Sequence, residues 1–101
     1  MSTPLSKRIA LVTGAAQGIG RSIALRLADD FDVAVNDIPA NSQALDSLSA
    51  EITAKGRRSC SVLADISVED QVKSMIGTVV TELGGLDVVH SATPFHSTSI
   101  H

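Results

Sequence analysis

The feature that most constrains the fold is a glycine-rich segment between a short apolar run and a helix-like stretch. Residues 9–12 (IALV) have the composition of a buried strand, and residues 13–20 (TGAAQGIG) follow directly. A strand that enters a helix through glycines leaves several backbone N–H groups directed at one point, at the positive end of the helix dipole. We expect Gly14 to allow the tight turn, Gly18 to let a pyrophosphate approach the backbone, and Gly20 to let the helix pack closely against the strand.

The rest of the sequence continues this alternation of apolar strand and amphipathic helix. The apolar runs predict strands at 9–12, 33–35, 59–64 and 86–89. The helical periodicity predicts helices at 18–29 and 42–55, and a third that follows a capping-box pattern at 67–70 and ends at Gly84. Near-continuous apolar strands that alternate with helices indicate an α/β fold with a parallel sheet covered on both faces.

Two carboxylates stand at the ends of predicted strands. Asp37 closes the second strand, seventeen residues after Gly20. A carboxylate there can accept hydrogen bonds from both hydroxyls of an adenosine ribose and would repel a 2′-phosphate, which favours NAD over NADP. Alternatively, Asp37 only begins a turn with Pro39. Asp65 follows the third strand, where it can receive an adenine amino group while Ile66 covers the ring, or it only helps to start the third helix.

The composition excludes several other classes of site. The 101 residues suit one small domain, and the net charge of −3 offers no basic stripe for nucleic acid. The start lacks the apolar core of a secretory signal and no segment is apolar enough to span a bilayer, so we expect a cytoplasmic protein. Cys60 is the one cysteine, and we expect a buried, inert thiol. The three histidines, His90, His96 and His101, have a spacing that fits no zinc site, so we predict no metal.

The end of the sequence differs in composition from the rest. Residues 90–101 contain no Asp, Glu, Lys or Arg, so residues 1–89 hold all eleven acidic and all eight basic residues. We therefore predict a domain boundary at residue 89, which separates a partial dinucleotide-binding domain (1–89) from a divergent, irregular tail (90–101).

Taken together, these motifs make residues 7–89 resemble the amino-terminal part of a short-chain dehydrogenase/reductase. The resemblance rests on the glycine motif, Asp37, residues 65–67 (DIS) and residues 86–88 (LDV). It implies a Rossmann-like, doubly wound sheet with strand order 3-2-1-4 over this segment. It also implies binding of NAD(P) and hydride transfer between the cofactor and an alcohol or ketone. The cofactor-binding residues that we expect are Gly14, Gln17, Gly18, Ile19, Gly20, Asp37, Ile38, Asp65 and Ile66.

The sequence departs from the family's pattern in two places. Asp30 runs directly into Phe31 where the family usually has a glycine, so we expect the first helix to lack a left-handed cap. Where the family continues the fourth strand into Asn-Ala-Gly, residues 92–94 read ATP, and the sequence has no tyrosine and no lysine after Lys73. The tyrosine and lysine that transfer the proton in this family are therefore not among these residues, and we assign no catalytic residue.

Three functions compete at this point. The one we favour is a truncated NAD(P)-dependent oxidoreductase, from an altered splice or reading frame, that is inactive alone. The second is a non-catalytic dinucleotide-binding or regulatory module that associates with itself or pairs with a full-length relative. The third is an unrelated flavodoxin-like protein, although such folds do not require this glycine spacing.

Overall fold

The computed structural model describes residues 8–91, which form one parallel sheet with helices on both faces. The elements in chain order are β1 (Ile9–Thr13), α1 (Gly18–Leu27), β2 (Asp32–Asp37), a short 3₁₀ turn (Pro39–Asn41), α2 (Ser42–Ala54), β3 (Ser59–Leu63), α3 (Glu69–Leu83) and β4 (Val88–Ser91). The strand order is β3-β2-β1-β4, and every neighbouring pair is parallel. The predicted α/β fold and its strand order are therefore confirmed.

The predicted tail falls mostly outside the described residues. Positions 92–94, where the sequence leaves the family's pattern, and the rest of the tail to His101 lie there. The fourth strand runs through His90 to Ser91. The boundary at residue 89 therefore stays a prediction.

The sheet is buried by two apolar clusters, one on each face. One cluster joins the sheet to α1 and α2, and its largest members are Val12, Val33, Val35, Leu45, Leu48 and Ile52. The other joins the opposite face to α3 through Ile9, Leu11, Ala34, Met75, Val79 and Leu83. Within residues 8–91, no helix is both long enough and apolar enough to cross a membrane. Because both faces of β1 and β2 are covered, functional groups can be accessible only where the strands end. The side of the sheet where the carboxyl ends of the strands meet is the carboxyl edge.

The first helix ends without the left-handed residue that commonly closes a helix, as predicted. Ala28 has φ −67°, and the chain turns because the amides of Asp30 and Phe31 both donate to the carbonyl of Leu27. Cations from the connection between α2 and β3 lie at this end. Lys55 Nζ is 2.9 Å from Asp29 Oδ1, and Arg57 Nε lies 3.4 Å from the carbonyl of Ala28.

These cations compensate for the missing glycine cap, because they lie against the negative end of the helix dipole. The Lys55 ammonium holds the pKa of the Asp29 carboxyl below its usual value, so this carboxylate stays ionised at the negative end of the helix dipole. The sequence departure at Asp30 and Phe31 is thereby accommodated without a change in the glycine-rich loop at the other end of the helix.

The fourth strand is an edge of the sheet formed by residues 8–91. Val88 and Val89 are 40% and 54% exposed, whereas Leu86 packs against the cluster beneath α3. An exposed apolar edge strand offers unpaired backbone groups to another chain. We therefore expect the 101-residue chain, prepared alone, to self-associate and to bind the dye ANS.

Val89→Lys tests this expectation, because a lysine on an edge strand opposes pairing with a second chain. We expect sedimentation velocity to show less self-association in this variant than in the unmodified chain. Val80→Lys is the matched control, since Val80 is an exposed valine on α3, away from the edge. An equal reduction of self-association in both variants, or an unmodified chain that is monomeric, would contradict the expectation.

Candidate functional site

The loop between β1 and α1 owes its shape to three glycines in different roles. Gly14 and Gly18 have φ values of 64° and 62°, a left-handed conformation that side chains other than glycine rarely adopt. Gly20 has a different role, because a Cβ built on it would lie 2.2 Å from the carbonyl oxygen of Gly14. A Cβ built on Gly18 would meet nothing within 4 Å. Gly20 therefore permits close contact between helix and loop, while Gly18 leaves open space beside the loop.

The first turn of α1 follows this loop with its backbone amides uncapped. Gln17 precedes the helix in extended conformation and makes no side-chain hydrogen bond to it, and the first turn contains no acidic residue. Ile19 is 74% exposed. The amides of this turn and the positive end of the helix dipole therefore remain available to an anion.

Asp37 joins the end of β2 to the glycine-rich loop. Its Oδ2 accepts a hydrogen bond from the Ala16 amide at 2.9 Å, and its Oδ1 accepts from the Ile38 amide at 2.8 Å and from Asn41 Nδ2 at 2.9 Å. Asp37 therefore does more than begin a turn with Pro39, because its carboxylate contacts the loop twenty-one residues earlier in the sequence.

Asn36 is a second link at the same edge, and it was not among the predicted site residues. Its carbonyl accepts from the Ala15 amide at 2.9 Å, next to the bond made by Asp37. Its buried side-chain amide donates to the carbonyls of Val62 at 3.0 Å and Ala64 at 3.2 Å. This residue thus ties the loop, β2 and the end of β3 together. An asparagine at the end of an otherwise apolar strand was the available signal.

Asp65 and Ile66 lie at the carboxyl end of β3, at the same edge of the sheet as Asp37. Asp65 Oδ1 accepts from the hydroxyl and the amide of Ser67 at 2.6 and 2.9 Å, and these bonds lower the pKa of the Asp65 carboxyl. Ile66 is partly exposed. One oxygen of Asp65 is therefore occupied in shaping the entry to α3, the alternative role considered for it.

The predicted capping box at the start of α3 is wrong. The residue that precedes the helix is Val68, and it makes no capping bond. The hydroxyl of Ser67, which was expected to cap the helix, donates to Asp65 instead. The other end of α3 is as predicted, since Gly84 closes it with a φ of 94°.

An open cavity of about 610 Å³ adjoins the glycine-rich loop, between α1 and the carboxyl end of β4. Its lining residues are Gly18, Ile19, Ser22, Ile23, Arg26, Leu27 and His90. The cavity is large enough for part of a small-molecule ligand. It lies beside the uncapped turn of α1, and Asp37 is held on the other side of the loop.

The remaining candidates lie apart from this edge or outside the described residues. Cys60 is half-buried in β3, and burial raises the pKa of its thiol, which keeps the thiol neutral. His96 and His101 lie outside residues 8–91. The structure thus brings together the predicted loop residues and Asp37, with Asp65 and Ile66 one strand further along the same edge.

The contact at Gly20 predicts a sharp difference between two glycine-to-alanine substitutions. Gly20→Ala should lower the free energy of unfolding by about 2–3 kcal/mol, because its Cβ would overlap loop backbone. Gly77→Ala, in the middle of α3 with nothing within 4 Å of its Cβ, should raise it by about 0.5–1 kcal/mol. Urea unfolding followed by circular dichroism measures both. A Gly20→Ala protein as stable as the unmodified chain would refute the close contact.

Comparison with known proteins places this chain in a family. Residues 8–99 match the short chain dehydrogenase family. A short-chain dehydrogenase/reductase of Armillaria gallica is 60% identical over 90 residues, which are 87% of this chain and 34% of that protein. The chain thus spans about a third of the length of this curated relative.

Solved structures agree with this match. A blue fluorescent protein from a metagenomic library, crystallised with NADPH, superposes with a TM-score of 0.78 at 34% identity, over 84% of this chain and 35% of that one. An NAD⁺-bound xylitol dehydrogenase superposes with a TM-score of 0.75 at 32% identity, over 81% of this chain and 31% of that one. The chain belongs to the short-chain dehydrogenase/reductase family.

Proposed function

We propose that residues 8–91 are the dinucleotide-binding part of an NAD(P)-dependent oxidoreductase that transfers hydride between its cofactor and an alcohol or ketone. The observation that carries this proposal is the hydrogen bond from the Ala16 amide to Asp37, which sets a carboxylate beside a glycine-rich helix start. In a member of this family, that combination suits the ribose and the pyrophosphate of one dinucleotide.

The pyrophosphate is proposed to bind at the start of α1. The uncapped amides after Gln17 supply donors, and the open space at Gly18 lets phosphate oxygens approach the backbone. Ile19, which is exposed beside the cavity between α1 and β4, offers an apolar surface to the remainder of the cofactor.

We propose NAD as the preferred cofactor. The Asp37 carboxylate is suited to the two hydroxyls of a ribose and would repel a 2′-phosphate. Neither residues 14–20 nor residues 38–54 contain a lysine or arginine that could bind that phosphate. Arg21, directly after the loop, is paired with Glu51 on α2. One structural neighbour was crystallised with NADPH and another with NAD⁺, so membership of the family does not decide between the two cofactors. The preference for NAD is therefore proposed from the charge of Asp37.

Asp65 and Ile66 are proposed to contact the adenine. One Asp65 oxygen is held by Ser67, which leaves the other to accept from the adenine amino group. Ile66 is exposed enough to cover one face of the ring.

Titration calorimetry with NAD and NADP tests the cofactor assignment. We expect NAD to bind more tightly by about 30- to 150-fold, which corresponds to roughly 2–3 kcal/mol. Asp37→Ala should weaken NAD binding and reduce the difference between the NAD and NADP affinities, because it removes the charge that opposes the 2′-phosphate. Asp30→Ala is the matched control, since Asp30 is an exposed aspartate at the opposite end of α1. Tighter binding of NADP by the unmodified chain would contradict the assignment.

We further propose that this chain binds cofactor without catalysing hydride transfer by itself. The proton transfer that accompanies hydride transfer in this family needs a tyrosine, and the sequence contains none. The catalytic groups would have to come from a longer protein or from a full-length relative that pairs with this chain. That pairing and a cytoplasmic location remain predictions.

Assays with NAD, NADP and a panel of secondary alcohols and ketones should therefore show no turnover, although calorimetry detects binding. The Asp37→Ala variant serves as the control for contaminating host enzymes, whose activity it would leave unchanged. Turnover that falls with cofactor affinity in that variant would belong to this chain and would refute the proposed inactivity.

A further inference from the structure

The Asp37 carboxylate is held by three donors of two kinds. Two are backbone amides, those of Ala16 and Ile38, at 2.9 and 2.8 Å. The third is the side-chain amide of Asn41, whose Nδ2 donates to Asp37 Oδ1 at 2.9 Å. The backbone donors are fixed by the loop and by the end of β2. Asn41 is thus the one contact of the three that a change of side chain can remove.

Asn41 occupies a position where asparagine usually performs another task. It immediately precedes α2, and asparagine at such a position commonly accepts a hydrogen bond from an amide of the first turn. In the described structure Asn41 makes no such bond, and its side-chain amide is directed at Asp37 instead. The Pro39–Asn41 turn places it there, because the Asn41 amide donates to the carbonyl of Ile38 at 2.9 Å.

We propose that Asn41 is a positioning residue for cofactor choice, which fixes the Asp37 carboxylate so that the site accepts a ribose diol and excludes a 2′-phosphate. This inference rests on the proposed function. A carboxylate whose Oδ1 is held by Ile38 and Asn41 cannot rotate freely, so its charge stays at one place beside the loop. Without Asn41, only the backbone amides of Ala16 and Ile38 hold the Asp37 carboxylate, so it turns towards solvent more readily and its repulsion of a 2′-phosphate weakens.

Asn41→Ser separates this role from a purely structural one. Serine is as good a residue as asparagine at the start of a helix and can cap α2, which Asn41 does not do, so this gain should offset the lost bond and leave the melting temperature nearly unchanged. Its hydroxyl is too short to replace the bond to Asp37. We expect the ratio of NAD affinity to NADP affinity, measured by calorimetry, to fall about tenfold, because a hydrogen bond to a charged group is lost.

Asn41→His is the conservative rescue, because its Nδ1 is as many bonds from Cα as the amide nitrogen of asparagine. This variant should restore most of the ratio of NAD affinity to NADP affinity. Gln43→Ser is the matched control, since Gln43 is an exposed amide two residues further along. In an Asp37→Ala background, Asn41→Ser should have no further effect on the ratio, since the group that it positions is gone.

The outcomes distinguish this inference from the proposed function. An unmodified chain that binds neither dinucleotide refutes the proposed function and this inference with it. An unmodified chain that prefers NAD, together with an Asn41→Ser variant of the same ratio, refutes the role of Asn41 alone. Should Asn41→Ser fail to fold, Asn41→Thr replaces it in the single and the double variant, because the threonine hydroxyl is equally short and threonine also suits the start of a helix. An unchanged ratio of NAD to NADP affinity in the single variant, or a lower ratio in the double variant than in Asp37→Ala, would then contradict the role.

Discussion

The hydrogen bond between the Ala16 amide and the Asp37 carboxylate is the contact on which the candidate site depends. It joins the loop that begins α1 to the end of β2, and the Ala15 amide adds a parallel bond to the carbonyl of Asn36. Together these bonds hold the uncapped start of α1 and a carboxylate in a fixed relation. The loop can take this path only because Gly14 and Gly18 adopt left-handed conformations and Gly20 has no Cβ.

The topology explains why these groups meet. In the order β3-β2-β1-β4 all strands run the same way, so the residues that follow β1, β2 and β3 arrive at one edge. The chain leaves β1 towards β2 on one side, and β4 pairs with β1 on the other. Ligands of open α/β sheets bind where the strand order reverses in this way. The cavity between α1 and His90 lies at this point, beside the glycine-rich loop.

Local signals predicted most of the fold and part of the site. The alternation of apolar runs with amphipathic stretches was enough for the elements, and the glycine spacing with Asp37 located the loop and its carboxylate. The strand order came from the resemblance to a family. The observed strands extend beyond the predicted ones, because polar residues such as Asp32 and Thr13 also pair in the sheet.

The features that escaped prediction depend on side-chain contacts that the sequence pattern does not reveal. Asn36 and Lys55 act on partners twenty-six to thirty residues away, which no local pattern reveals. Ser67 has the sequence of a capping residue, but the nearby Asp65 carboxylate accepts its hydroxyl instead. Asn41 matches the preference for asparagine before a helix, yet its side-chain amide donates to Asp37 and does not cap the helix.

We expect the residues that follow β1 and β2 to bind a dinucleotide. An NMR titration of the ¹⁵N-labelled chain with NAD tests it most directly, because each backbone amide reports on its own surroundings. We predict that the largest shifts fall on Ala15, Ala16 and residues 18–20, with smaller ones at Ile38 and Asn41. The amide signals of Gly84, Gly85 and Asp87, at the opposite edge, where the strands begin, should not shift. Shifts confined to that opposite edge, or none in the loop at saturating NAD, would contradict the account.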